Sequence, residues 1–293
     1  MRQESSLPRA ALALSVLVTL LIPVVTVVGL FAPGFYRDTA WSIPQERGQD
    51  LITLVIVEPL LFVAMLAARR RDGGGARWRL VWAGALSYTL YTYLLYSYTA
   101  AFNALFLAYV ALFSLSTFAL ASLLLHFDAL SLPESAGAGR GGRFVAGFLL
   151  FLGLFFTFAW LAQILPPTLH GTVPSSITQA KTPSNGVYVQ DLGLVIPLLI
   201  VAGVWLWNRR AWGAALGAIL LVIADIMAAA IVSMALFMAR AGIAGSAGTA
   251  SMFAGITLVS LGVTALHFRS LRTAGAQPAI RPTRLVIHHK RAG

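Results

Sequence analysis

The sequence predicts an all-α, polytopic integral membrane protein with eight transmembrane helices, arranged as two parallel four-helix repeats with both termini cytoplasmic. Three observations carry that reading. First, 58% of the 293 residues are hydrophobic and 11% are charged, with a mean hydropathy of +0.81; a soluble domain carries about 25% charged residues to solvate its surface. Second, the apolar residues gather in runs close to the length of about 20 residues that crosses a hydrocarbon core about 30 Å thick as helix. Third, the basic residues segregate to one side of those runs. The composition excludes a cytosolic enzyme, a secreted disulfide scaffold and a disordered tail protein. The absence of cysteine excludes thiol redox chemistry, cysteine nucleophiles and thiolate metal sites.

The runs lie near 10–33, 51–68, 80–99, 102–126, 144–165, 192–207, 211–238 and 246–267. The second and sixth are short, and each contains a proline, Pro59 and Pro197. The third and fourth are parted by a tight turn around Thr99–Asn103, because residues 88–127 are too long for one crossing. With the N-terminus inside, the cytoplasmic segments hold Arg2, Arg9, Arg69, Arg70, Arg71, Arg77, Arg79, Arg140, Arg143, Arg209 and Arg210, and the basic residues of the C-terminal tail. That is 17 of the 21 lysines and arginines, leaving Arg37, Arg47, Lys181 and Arg240 outside. The excess sets both termini inside. Trp78, Trp82, Trp205, Trp207 and Trp212 then fall near the inner interface, and Trp41 and Trp160 near the outer one. The net charge of +11 is thereby a topology signal. The expected partner is the lipid bilayer and not nucleic acid, and oligomeric state is left open. The tail 269–293 is basic, with no acidic residue and no clear apolar period, and is expected to be disordered or to lie on anionic lipid. No cleavable signal peptide is expected, since the first apolar run is too long and no A-x-A site ends it. Arginine outnumbers lysine 19 to 2, which suits a GC-rich bacterial genome and a bacterial cytoplasmic membrane.

An internal match organises the chain as residues 1–143, 144–268 and the tail. Gln49-Asp50-Leu51 opens the second run and Gln190-Asp191-Leu192 the sixth, 141 residues later; His126-Phe127 and His267-Phe268 close the fourth and eighth at the same offset. Pro59 and Pro197 lie 138 apart. Because four crossings is an even number, both copies enter in the same sense, and their pseudo-axis runs along the membrane normal, as in parallel-repeat transporters.

The candidate chemistry follows from polar residues at membrane depth. Glu58 and Asp225 are intramembrane carboxyls with no lysine or arginine at comparable depth, the setting of a proton or cation pathway or of a hydrogen bond between helices. Exchange of Glu58 for Gln is expected to abolish proton-coupled flux on the first reading. Pro59 and Pro197 free the carbonyls of Val55 and Gly193, and matched broken spans mark transporter binding sites. Gln49, Asp50, Gln190 and Asp191 sit at the outer mouth, with the two aspartates suited to N-capping. His126 and His267 suit the negative ends of their helices. Tyr88, Tyr91 and Tyr98 share a helical face that, with Asn103, either lines a cavity or packs; Tyr93, Tyr96 and Tyr98 approach the outer interface and read as an aromatic belt. Gly213-x-x-x-Gly217 and Ala247, Ser251 and Gly255 read as close-packing faces. There is no Walker loop, GxSxG, HExxH or Rossmann glycine fingerprint, so no ATP-driven step is expected within this chain.

Gly48-Gln49-Asp50-Leu51, Tyr91-Thr92-Tyr93, Phe102-Asn103, the stretch Tyr109-Val110-Ala111-Leu112-Phe113-Ser114-Leu115-Ser116 and Asp191-Leu192-Gly193-Leu194 resemble an uncharacterised group of bacterial eight-helix membrane proteins. That resemblance implies a membrane location and no activity. The four-plus-four layout is also similar to haem A synthase in architecture alone, because the outer-side histidines of that family have no counterpart here. No cofactor and no metal are predicted. The favoured expectation is a small-molecule or ion permease with proton coupling; a membrane enzyme or carrier for lipid, quinone or haem, and an assembly or sensor subunit, stay open.

Overall fold

The computed structural model describes residues 7–70, 74–132 and 137–271. Arg2, Arg71 and residues 272–293 of the expected tail lie outside the described residues. The protein is all-α, 81% helical, with no strand among the described residues. The helices are α1 (Arg9–Phe31), α2 (Ile43–Ile52), α3 (Glu58–Ala67), α4 (Gly75–Thr99), α5 (Phe106–Leu125), α6 (Gly139–Leu169), α7 (Ser175–Ala180), α8 (Gly186–Gln190), α9 (Ile196–Trp207), α10 (Ala211–Arg240) and α11 (Ser246–Ser270). Seven helical stretches are long and apolar enough to cross a membrane, with α2–α3 and α8–α9 each counting as one. Leu20, Phe118, Phe158 and Leu258, each more than 60% exposed, exemplify the apolar exterior this leaves for lipid.

The expected third span, 80–99, lies within α4 but is not among the seven. α4 buries Tyr88, Tyr91, Tyr93, Tyr96, Thr89 and Thr92 against its neighbours, so its side chains satisfy protein contacts rather than the lipid match that apolar runs provide. The second and sixth spans are longer than expected, at Ile43–Ala67 and Gly186–Trp207. Their opening turns are polar, so each helix begins before its apolar run does.

Both of these spans change helical register at the proline. A π turn, Thr53–Val57, joins α2 to α3, and a second, Asp191–Val195, joins α8 to α9. Proline cannot donate to the carbonyl four residues back, and the chain responds by widening. Glu58 N–H donates to Thr53 O, and Ile196 N–H to Asp191 O, five residues back in each case.

Two groups of helices result. In the first, α1 packs on α5, α4 on α5 and α3, and α2–α3 on α1; in the second, α6 packs on α9, α10 on α9 and α11, and α11 on α6. α10 joins the groups by packing on α2 and α4 as well. Its most apolar window is 61% buried, against 17% for α11, which makes α10 the central helix. Glycine permits the closest approaches, since a Cβ at Gly48 would overlap the backbone of Met234, and one at Gly213 the backbone of Trp205 and Leu206. Gly213 and Gly217 thus form the expected packing face, but Ala247, Ser251 and Gly255 are exposed, and a Cβ at Gly255 would meet nothing among the described residues. Trp82 is also not interfacial: it is fully buried and donates from Nε1 to Ser15 Oγ at 3.0 Å.

Candidate functional site

A cavity of about 750 Å³ lies between the two groups of helices. Its mouth is formed by the segments that follow α1, α4, α7 and α10, represented by Asp38, Ala100, Asn185 and Gly245, all at the end of the bundle opposite the start of α1. Its floor is reached at Leu152, Leu199, Leu220 and Ser260. The wall is largely aromatic and aliphatic, with a few convergent polar groups, the usual make-up of a small-molecule site.

Asp191, the first residue of the second π turn, is the polar centre of that wall. Its Oδ1 accepts from Tyr91 Oη and its Oδ2 from Trp160 Nε1, each at 2.9 Å. One carboxylate therefore ties α4 of the first group to α6 and α8–α9 of the second. Above it, Tyr188 Oη donates to Gln163 Oε1 at 3.1 Å and pairs with Ser176 Oγ at 2.9 Å. Asp38 and Glu46 lie against one another in the lining, close enough for their carboxyls to interact directly, and no third group among the described residues meets their buried Oδ2 and Oε2 atoms.

Asp50, the sequence counterpart of Asp191, occupies a closed site. It is 2% exposed and accepts from Tyr36 Oη at 2.5 Å. The glycine at 29 makes room, since a Cβ there would overlap both partners. Burial, and then the field of the Asp50 carboxyl, holds the Tyr36 phenol above its ordinary value, so it remains a donor. Tyr36→Phe should leave Asp50 Oδ2 without its donor and destabilise the protein by about 1–3 kcal/mol. Thermal unfolding in detergent measures this, and an unchanged midpoint would refute the pairing as a stabilising contact.

The structure departs from the expected roles at several positions. Asp50 lies eight residues into α2 and Asp191 follows α8, so neither is an N-cap. Asn185 caps α8 instead, accepting from Val187 N at 2.9 Å and Tyr188 N at 3.4 Å. Gln49 Nε2 donates to Thr92 Oγ1 at 2.9 Å while lining the cavity. Gln190 meets Tyr98 Oη at 2.7 Å and, with its amide oxygen there, donates to Tyr91 O at 3.3 Å. Tyr91 lines the cavity but Asn103 does not: Asn103 closes the turn before α5 by accepting from Leu105 N at 2.9 Å. Glu58 stands outside the cavity on α3. The two histidines are not equivalent, since His126 is exposed with Nδ1 on Ser122 O at 2.7 Å, whereas His267 is 1% exposed with Nε2 on Ala214 O at 2.9 Å.

Asp225 belongs to a polar seam between α10 and α11. It faces Ser260 and Thr264, and His267 lies one turn further along α11. Asp225 Oδ1, Ser260 Oγ, Thr264 Oγ1 and His267 Nδ1 are all buried without a direct partner among the described residues. Ser260 is also part of the cavity floor.

No family model, curated protein or solved structure matches this chain. The site therefore stands on its own geometry. Asp38, Glu46 and Tyr36 were not singled out from the sequence, because each lies beyond the edge of an apolar run, and Trp160 was read only as an outer-interface residue. Between Gly48-Gln49-Asp50 and Val189-Gln190-Asp191, the exchange of glycine for valine is a local sign of different surroundings.

Proposed function

We propose that this chain is a multi-pass permease of the bacterial cytoplasmic membrane, with both termini inside, built from two parallel four-helix repeats that flank the cavity. It takes a small molecule from the cavity and couples the movement to protons through Asp225. The observation that carries this reading is the junction of cavity and seam: Ser260 is common to both, and the row Ser260, Asp225, Thr264, His267 continues from the floor to the level of Ala214, near the start of α10. Hydroxyls and carboxyls in such a row, bridged by water, suit a proton path through a membrane protein. The paired π turns and prolines support the repeat, since interrupted spans at matching places are characteristic of transporter binding regions.

The test is solute-driven proton movement in proteoliposomes that enclose a pH-sensitive dye. A panel of neutral, anionic and cationic amphipathic solutes is added outside, and at least one is expected to move protons with the wild-type protein. No proton movement and no accumulation with any charge class overturns the reading. The apolar wall favours one second reading, a carrier or enzyme for a lipid or quinone. Native mass spectrometry that finds one discrete apolar mass per chain would select it.

A further inference from the structure

We infer that the cavity binds an amphipathic organic cation, a quaternary or protonated amine class of molecule with an apolar body. This rests on the reading of the cavity as a transport site, and it names the substrate class. The chain as a whole carries 21 basic and 10 acidic residues, yet the cavity reverses that balance. Asp38, Glu46 and Asp191 line it, and no lysine or arginine does.

Glu46 gives the second, independent observation. It is 8% exposed, it lines the cavity, and apart from Asp38 its Oε2 has no direct partner among the described residues. Arg47 acts on it from the next position in the chain but is not part of the wall. Asp38 is held through its other oxygen, with Oδ1 accepting from Ala101 N at 2.9 Å, which leaves Oδ2 beside Glu46. Asp191 is satisfied by two neutral donors, Tyr91 and Trp160, so neither brings a counter-charge.

The same two donors place aromatic rings at the carboxylate, and Trp160 and Tyr188 pack with centroids 5.1 Å apart. The rings meet the carboxylate edge-on, through N–H and O–H, so aromatic rings stand beside a carboxyl in one wall, a setting that holds a cation by charge and, over a ring face, by the ring quadrupole. Met227, Met234 and Met238 from α10 complete the wall. Their unbranched, polarisable side chains adapt to bodies of different shape, which favours a class of ligands over one compound. An anion would meet three carboxyls and no cation; an uncharged apolar body would leave the Glu46 and Asp38 carboxyls with only each other. A bound metal ion is a poorer fit, since the described residues contain no group of three His, Asp or Glu arranged to hold one.

The experiment compares tetraphenylphosphonium with tetraphenylborate, ions of nearly the same size and shape and opposite charge. Both are titrated by equilibrium dialysis against the detergent-purified full chain. The phosphonium should bind at least about tenfold more tightly than the borate, and Asp191→Asn and Glu46→Gln should each weaken it by about tenfold. The wild-type ratio needs no variant, so misfolding cannot mimic or hide it, and matching unfolding midpoints qualify the variants. Equal binding of the two ions, or undiminished phosphonium binding by both variants, overturns the assignment. Selective phosphonium binding without movement into proteoliposomes sustains the ligand class and defeats the permease. Movement of an anion or neutral solute without phosphonium binding defeats the ligand class and leaves the permease standing.

Discussion

Gly48→Ala should destabilise the protein by about 3 kcal/mol or more, the upper range for forcing an extra group into a packed core. The added methyl has no flexible side chain to displace. It meets the N and Cα atoms of Met234 and the carbonyl carbon of Ser233, so α2 and α10 must move apart as rigid units. α10 is the helix that joins the two groups, and α2 is one of its main neighbours, so the strain falls on the junction that shapes the cavity. The control is Val189→Ala at the matching place in α8, where the side chain is 63% exposed; that change should stay within about 0.5 kcal/mol. Reversible unfolding in mixed micelles measures both. A Gly48→Ala protein as stable as the wild type would disprove the backbone-to-backbone contact.

Asp225→Asn should remove solute-driven proton movement while leaving solute binding near the wild-type level. Asparagine keeps the size of the side chain and still presents polar atoms toward Ser260 and Thr264, so packing between α10 and α11 is retained. What it loses is the exchangeable proton. The cavity residues that contact solute are untouched, because Asp225 is not part of the lining. Glu58→Gln is the matched comparison, and it should leave proton movement essentially unchanged, contrary to the expectation from sequence alone. Proton movement by the Asp225→Asn protein at the wild-type rate would exclude the seam as the pathway. Loss with Glu58→Gln and not with Asp225→Asn would return the role to α3.

The polar residues show where pattern reading succeeds and fails. Tyr91, Gln49 and Asp191 were identifiable because they interrupt or border apolar runs, and all three line the cavity. Asp225 was identifiable by depth. Asp38 and Glu46 were hidden, since a search for apolar runs places them in a loop, whereas Glu46 lies in the first turn of a span that begins at Ile43. Trp160 and Trp82 were both assigned to interfaces, because an indole at the edge of a run has the same sequence signature whether it meets headgroups, a carboxylate or a buried serine. Asp50 and Asp191 had one shared explanation as caps, and the structure separates them into a closed pair with Tyr36 and an open site framed by Tyr91 and Trp160.

Composition and the lengths of apolar runs were sufficient for the membrane class, for the α-helical architecture and for most crossing segments, because lipid imposes a demand on every residue of a span that can be read one residue at a time. The matching Gln-Asp, proline and His-Phe positions likewise needed no coordinates. The cavity was different in kind. At 48 a glycine lets α10 close backbone to backbone against α2, while at 189 a valine is turned outward and α8 meets α4 through Gly186 and the Gln190 side chain. Two nearly identical motifs thus acquire opposite environments from the distance between helix backbones, a quantity set by contacts between residues far apart in the chain and carried by no local pattern.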